Sequence, residues 1–167
     1  MHPHSTMCMF RANNIPAAVS VFHPNRLIPE FSDDCFNEPF RGGQCTVYKV
    51  HFHDGKTWAV RVPNRLDSQA AGCILAQENK LLKCLNDVGF KWAPHFIGEA
   101  LSCDNIVGFP FVVYEWIAGS PLKWSTSYPP TRKTRDRLVE QLAEVLLSLV
   151  SKTGKGQYHH RSLNSTD

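Results

Sequence analysis

Two glycines, an arginine and a glutamate are the residues of this 167-residue chain whose types and order point to chemistry. Gly42 and Gly43 stand before a strand-like run, RGGQCTVYKV (Arg41 to Val50). Without side chains, their backbone can approach a ligand closely and turn amide groups toward phosphate. Arg61 sits between Val60 and Val62 in WAVRVP (Trp58 to Pro63), so on a strand it points to the face opposite theirs. Glu78 belongs to a helix-patterned stretch in which Ala71, Ile74, Leu75, Leu81, Leu82 and Leu85 form one apolar stripe, with Glu78 near its centre. A carboxylate there is costly unless a cation meets it. An Arg61–Glu78 pair across a sheet–helix interface is the economical answer, and a cation held there can reach phosphates beneath the glycine turn. The bland alternatives are an ordinary turn at Gly42-Gly43 and a purely architectural ion bridge.

The elements that must position these residues follow from periodicity. Thr46, Tyr48, Val50 and Phe52 alternate onto one strand face, and Val47, Lys49, His51 and His53 onto the other. Asp54-Gly55 is a hairpin turn signal, which makes Trp58 to Val62 the returning antiparallel strand, stopped by Pro63. Ser68 to Asp87 is predicted helical, with Gly89 just beyond its end. Strands are expected over His95 to Leu101 and Phe109 to Ile117. Backbone groups at Glu115, Trp116 and Ile117, where the last strand leaves the sheet, can pair with an adenine edge. A second amphipathic helix is expected from Arg132 to Ser151, with Leu138, Leu142, Val145, Leu146 and Leu149 on its apolar face.

Composition narrows the classes. The chain is 43% hydrophobic and 20% charged with a formal charge of +3, and no lysine–arginine cluster marks a nucleic-acid footprint. AAVSVF (Ala17 to Phe22) is too short to span a bilayer. The six cysteines are scattered with no CxxC pair, and no export signal opens the chain, so the expectation is reduced thiols in a cytosolic protein. The histidine pairs His2/His4, His51/His53 and His159/His160 lack the converging spacing of a metal site, and no metal ligand is assigned.

Together, RGGQCTVYKV, WAVRVP, LAQENKLLKCL (Leu75 to Leu85) and FPFVVYEWIAGSPL (Phe109 to Leu122) resemble the N-terminal lobe of the aminoglycoside phosphotransferase family, in its fungal-type variant with arginine on the third strand. The resemblance covers roughly residues 40–150. It implies an α+β fold: a protein-kinase-like N-terminal lobe, an antiparallel sheet with one packed helix, then a second amphipathic helix. It also implies weak ATP binding through Gly42, Gly43, Arg61, Glu78, Glu115, Trp116 and Ile117. The family's catalytic and metal-binding carboxylates lie in a second lobe, and only about 50 residues follow Ile117. No catalytic residue is therefore assigned, and Mg²⁺ is expected only with such a lobe present.

The expected organisation is an irregular extension over residues 1–30, a nucleotide-binding lobe over 31–122, a linker and amphipathic helix over 123–152, and a disordered tail over 153–167. The functional expectation is a truncated or degenerate phosphotransferase. Its alternative is a non-enzymatic binding or scaffold module using the same lobe. The expected partners are a nucleotide and, through helix 132–151, a second copy or another protein, with neither nucleic acid nor membrane.

Overall fold

The computed structural model describes residues 9–120 and 122–161, with side chains to residue 154. The class is α+β, with a six-stranded antiparallel sheet and three α-helices among the described residues. The strands are β1 (Glu30–Phe31), β2 (Phe40–Arg41), β3 (Cys45–His51), β4 (Thr57–Pro63), β5 (Phe96–Ala100) and β6 (Phe111–Glu115). The helices are α1 (Ile15–Ser20), preceded by a single 3₁₀ turn at Ala12–Asn14, then α2 (Ser68–Asp87) and α3 (Arg132–Arg161). The sheet runs β1-β3-β4-β6-β5, and β2 also pairs with β3.

The chain divides into two compact units. One comprises Met1–Lys83 and Pro94–Trp116, and the other Cys84–Ala93 and Ile117–Asp167. In the first, the β3–β4 hairpin turns at Asp54-Gly55 as the sequence predicts. Gly55 takes a φ of 91°, and the Phe52 amide closes the turn onto the Lys56 carbonyl at 2.9 Å. The register pairs Thr46 with Val62, Tyr48 with Val60 and Val50 with Trp58. β6 continues the layer by pairing Val113 with Val60 and Val112 with Arg61.

One face of this sheet presents Tyr48, Val50, Trp58, Val60, Val62, Phe111 and Val113, all buried. Ile15, Ala18 and Val19 of α1 join them in a single apolar cluster. Here the expected irregular extension is corrected: residues 12–23 are ordered, helical in part, and supply a wall of the core. His23 completes this layer, stacked on Phe52 at 4.7 Å between ring centres. Gly98 reflects how tightly the segment sits, because a Cβ there would enter the Phe22 ring. Six helical residues carry less than two turns, too few to display an amphipathic period, so burial alone identifies α1. Residues 1–8 lie outside the described residues.

The opposite face of β4 and β6 carries Arg61, Val112 and Tyr114 and meets α2. The helix begins at an Asp67 cap, whose Oδ1 accepts the Ala70 amide at 2.9 Å. It ends with Gly89 at a φ of 67°. Ala71, Gly72, Leu75 and Asn79 are its buried residues. A Cβ on Gly72 would collide with the Leu101 carbonyl, so glycine is what lets the helix come this close. Ile74 and Leu81, counted in the predicted stripe, are exposed.

In the second unit α3 continues past Ser151 to Arg161, so the expected disordered tail is helical over its first nine residues. No proline interrupts that stretch, and Lys152, Lys155 and Gln157 are good helix formers that offset Gly154 and Gly156. Residues 162–167 lie outside the described residues, as do the side chains of His159 and His160.

Among the described residues, Cys35, Cys45, Cys73 and Cys84 are free thiols. Cys103 is disulfide-bonded, which corrects the expectation that all six are reduced. Among the described residues no group of three or more histidine, cysteine, aspartate or glutamate side chains converges to hold a metal, and no helix is long and apolar enough to cross a membrane.

Candidate functional site

The antiparallel register sets Arg61 on the α2 side of the sheet, and the pitch of α2 brings Glu78 opposite it. The Arg61 Nη1 donates to Glu78 Oε2, and Nη2 to Oε1 at 3.4 Å, so the guanidinium fork grips the carboxylate at two points. Burial works against the Arg61 charge. The Glu78 hydrogen bond, aided by one with Tyr114, outweighs it and holds the guanidinium pKa above the usual arginine value. The Tyr114 hydroxyl is itself raised, first by burial.

The pairing expected from the sequence is therefore present, but its setting differs. Glu78 keeps 40% of its side-chain surface exposed and Arg61 25%. The centre of the α2 interface is Asn79, fully buried. Its Oδ1 accepts the Tyr114 hydroxyl at 2.7 Å, and its Nδ2 donates to Glu99 Oε2 at 2.5 Å. Lys83 completes the run by donating to Glu99 Oε1 at 2.6 Å. A polar network thus replaces the apolar contact that the stripe suggests, which shifts Glu78 to the edge of the interface. An unpaired, half-exposed carboxylate costs less than a buried one. Loss of Arg61 is expected to destabilise by about 1 kcal/mol rather than the roughly 3 kcal/mol of a fully buried pair.

Beside this pair lies a cleft of about 230 Å³, lined among others by Gly43, Cys45, Arg61, Arg65, Leu75 and Glu78. A more open hollow of about 550 Å³ adjoins it, lined by Phe40, Arg41, Gly42, Gly43, Val47 and Arg61. The glycine turn and the ion pair are thus brought together. The fold itself places no demand for glycine at position 43: its φ is not left-handed, and a Cβ there meets nothing within 4 Å.

Asn64, a residue outside the motifs read from the sequence, fixes the turn. Its amide donates to the Gln44 carbonyl at 2.7 Å, its Oδ1 accepts the Thr46 hydroxyl at 2.7 Å, and its Nδ2 reaches the Gly42 carbonyl at 3.4 Å. The available signal was an asparagine directly after the strand-ending Pro63. Arg65 follows with a φ of 58°, in the left-handed region.

The segment 115–117 is less available than expected. The Glu115 amide donates to the His95 carbonyl at 2.9 Å, and the Trp116 amide to the Thr57 carbonyl at 3.0 Å. Neither is free for a base edge. The Trp116 ring instead packs on Phe40 at 5.3 Å, with the Lys49 ammonium 5.2 Å from its centre. Ile117 is exposed. None of the three lines the two hollows beside Arg61.

Comparison with known proteins gives a different neighbourhood from the one the motifs suggest. Three relatives carry the name "Altered inheritance of mitochondria protein 9, mitochondrial". That of Candida dubliniensis is 27% identical over 125 residues, covering 68% of this chain and 20% of the relative. That of Candida tropicalis is 31% identical over 114 residues, covering 64% of this chain and 18% of the relative. That of Candida albicans is 30% identical over 101 residues, covering 56% of this chain and 16% of the relative. The chain thus matches about a fifth of the length of these curated relatives. No family model matches, and no solved structure matches.

These findings correct the resemblance to aminoglycoside phosphotransferases, and with it the truncated-phosphotransferase and kinase-like scaffold readings. A glycine turn, a strand arginine and a helix glutamate are also what ordinary turn chemistry and an architectural ion bridge supply, so their order alone does not specify that family. The cytosolic expectation is corrected by the same names, each of which says "mitochondrial". What the chain is similar to is a set of mitochondrial inheritance proteins of Candida.

Proposed function

We propose that this chain contributes a nucleotide-phosphate-binding module to a mitochondrial protein serving the inheritance of mitochondria. The mitochondrial part of the reading is drawn from the names of the three relatives. The binding part is supported chiefly by one observation. A two-point Arg61–Glu78 pair forms the wall of a cleft that opens under a glycine turn, at a position where the fold itself does not require glycine. The Gly42 amide is taken up by the Cys45 carbonyl at 2.8 Å, so the Gly43 amide beside a cation supplies the chemistry that phosphate oxygens need. Asn64 supports the reading by holding the turn in one conformation before any ligand arrives, which lowers the ordering cost of binding.

Calorimetric titration of the purified chain with ATP, with and without Mg²⁺, tests the binding. Measurable binding is expected, together with its loss in Arg61→Ala, where Glu78 is left as an unpaired negative charge facing the phosphates. The same variant should lower stability by only about 1 kcal/mol in urea titration, so the loss is not one of folding. No heat of binding with folded wild-type protein would overturn the module. Cell fractionation with an antibody to the endogenous protein tests the location. Recovery with mitochondria is expected, and recovery in the soluble cytosol alone would remove that part of the reading.

A further inference from the structure

The charge balance of the cleft singles out a residue that the paired site leaves over. Arg61 is matched by Glu78, so the pair brings no net charge to a ligand. Arg65 lines the same cleft, is exposed, and has no carboxylate partner among the described residues. The nearest acidic side chain in sequence, Asp67, is engaged in capping α2 through the Ala70 amide. Within this cleft the positive excess therefore resides on Arg65, while Arg41, exposed and likewise without a carboxylate partner among the described residues, borders the adjoining hollow.

Its backbone tells the same story. A non-glycine residue with a φ of 58° is held in a conformation that glycine adopts without cost. The residue before it is locked by three hydrogen bonds to the glycine turn and to Thr46, so the chain enters position 65 in a fixed direction. Glycine would serve the fold better at this position, yet the sequence carries arginine. Arg26 and Asp33 share such a φ, and what sets Arg65 apart is that its strained position lies at the rim of a cleft with no carboxylate partner among the described residues.

We infer that Arg65 is the residue that binds the phosphoryl groups, and that Arg61 is a positioning residue that shapes the wall of the cleft. The inference rests on the phosphate-binding reading above and names the group that makes the contact. The ligand class is a polyphosphate, free or as part of a nucleotide, whose oxygens the planar guanidinium can meet at two points.

The test compares wild type, Arg65→Gly and Arg65→Lys with two probes, ATP and inorganic tripolyphosphate, and follows thermal stability of each protein. Arg65→Gly should weaken binding of both probes roughly tenfold or more, the size of a lost charge-assisted contact. It should also raise the melting temperature, because glycine relieves the left-handed backbone. Arg65→Lys should bind more weakly than wild type and more tightly than Arg65→Gly, because lysine keeps the charge and loses the second contact point. Unchanged affinity in Arg65→Gly, with ATP bound by wild type, would overturn the inference while leaving the nucleotide reading intact. A fall in melting temperature in that variant would make Arg65 a structural residue and overturn it as well. Arg65-dependent binding of tripolyphosphate without ATP binding would sustain the inference and remove the nucleotide. Binding of neither probe would remove both.

Discussion

Asp54 illustrates how a single turn residue takes on a second task. Its Oδ1 accepts the Lys56 amide within the β3–β4 turn, while Oδ2 lies 3.0 Å from both the Lys56 ammonium and the His23 Nε2. His23 Nδ1 accepts the Asn25 amide at 3.2 Å, which leaves Nε2 as the nitrogen that donates to Asp54. The hydrogen bond from Lys56, with further help from His23, holds the Asp54 carboxyl down at about 2 against an ordinary value of 3.8. A carboxyl lowered in the folded state stabilises the fold above its unfolded pKa, and the contribution disappears as pH falls toward the folded value. Urea midpoints of the wild type should therefore decline between about pH 4 and pH 2. Asp54→Asn should lose that portion of the decline, and identical acid profiles for the two proteins would show that the contacts carry no linkage. Asp54-Gly55 is legible in sequence as a turn. Its hold on His23 is not, because His23 lies 31 positions away on a segment without a visible period.

At the scale of elements, α2 shows where pattern and packing part. Its limits and its contact with Arg61 follow from the sequence pattern, while the Asp67 cap emerges in the structure. The stripe of leucines suggests a core-facing line through Glu78, whereas the buried line runs through Ala71, Leu75 and Asn79. The sheet decides this, since β6 and β5 offer Tyr114 and Glu99 to a polar residue at the closest point. Asn79→Ala is expected to cost about 2 kcal/mol, because the Tyr114 hydroxyl loses its acceptor and a Glu99 oxygen its donor inside the fold. Chemical denaturation would measure it, with Tyr114→Phe and the double variant completing a cycle. Strict additivity of the two single changes would argue that the hydrogen bond contributes nothing.

At the scale of the molecule, the two units differ in how they dispose of apolar surface. The first buries it on both faces of a sheet, between α1 and α2. The second leaves Val139, Leu142, Leu146, Leu147 and Val150 of α3 each more than half exposed. Their spacing places them along one flank of the helix, adjoining the half-buried Leu138, Val145 and Leu149. The expected apolar face is thus wider than the five residues read from the sequence, and Leu142 and Leu146 lie on its uncovered part. We propose that the purified chain associates with itself through this flank. Sedimentation should show a concentration-dependent mass, and Leu142→Glu with Leu146→Glu should return it to monomer without lowering the melting temperature. A wild-type monomer at all concentrations would exclude self-association by this route.

The sequence by itself determined what depends on near neighbours. Alternation set the faces of β3 and β4, Asp54-Gly55 set their turn, and Gly89 set the end of α2. Arg61 and Glu78 were legible as a pair because strand alternation and helical pitch each aim a charged side chain at the same interface. Only the tertiary structure decided what depends on distant partners. Residues 12–23 became a wall of the core because the exposed sheet face had to be covered. Asn79 displaced Glu78 from the centre because β5 and β6 supplied its hydrogen-bond partners. Arg65 entered the cleft because Asn64 is tied to a turn some twenty residues earlier in the chain. Periodicity reports which side of an element is apolar, but the free energy of burial is fixed by whatever the rest of the chain brings against that side.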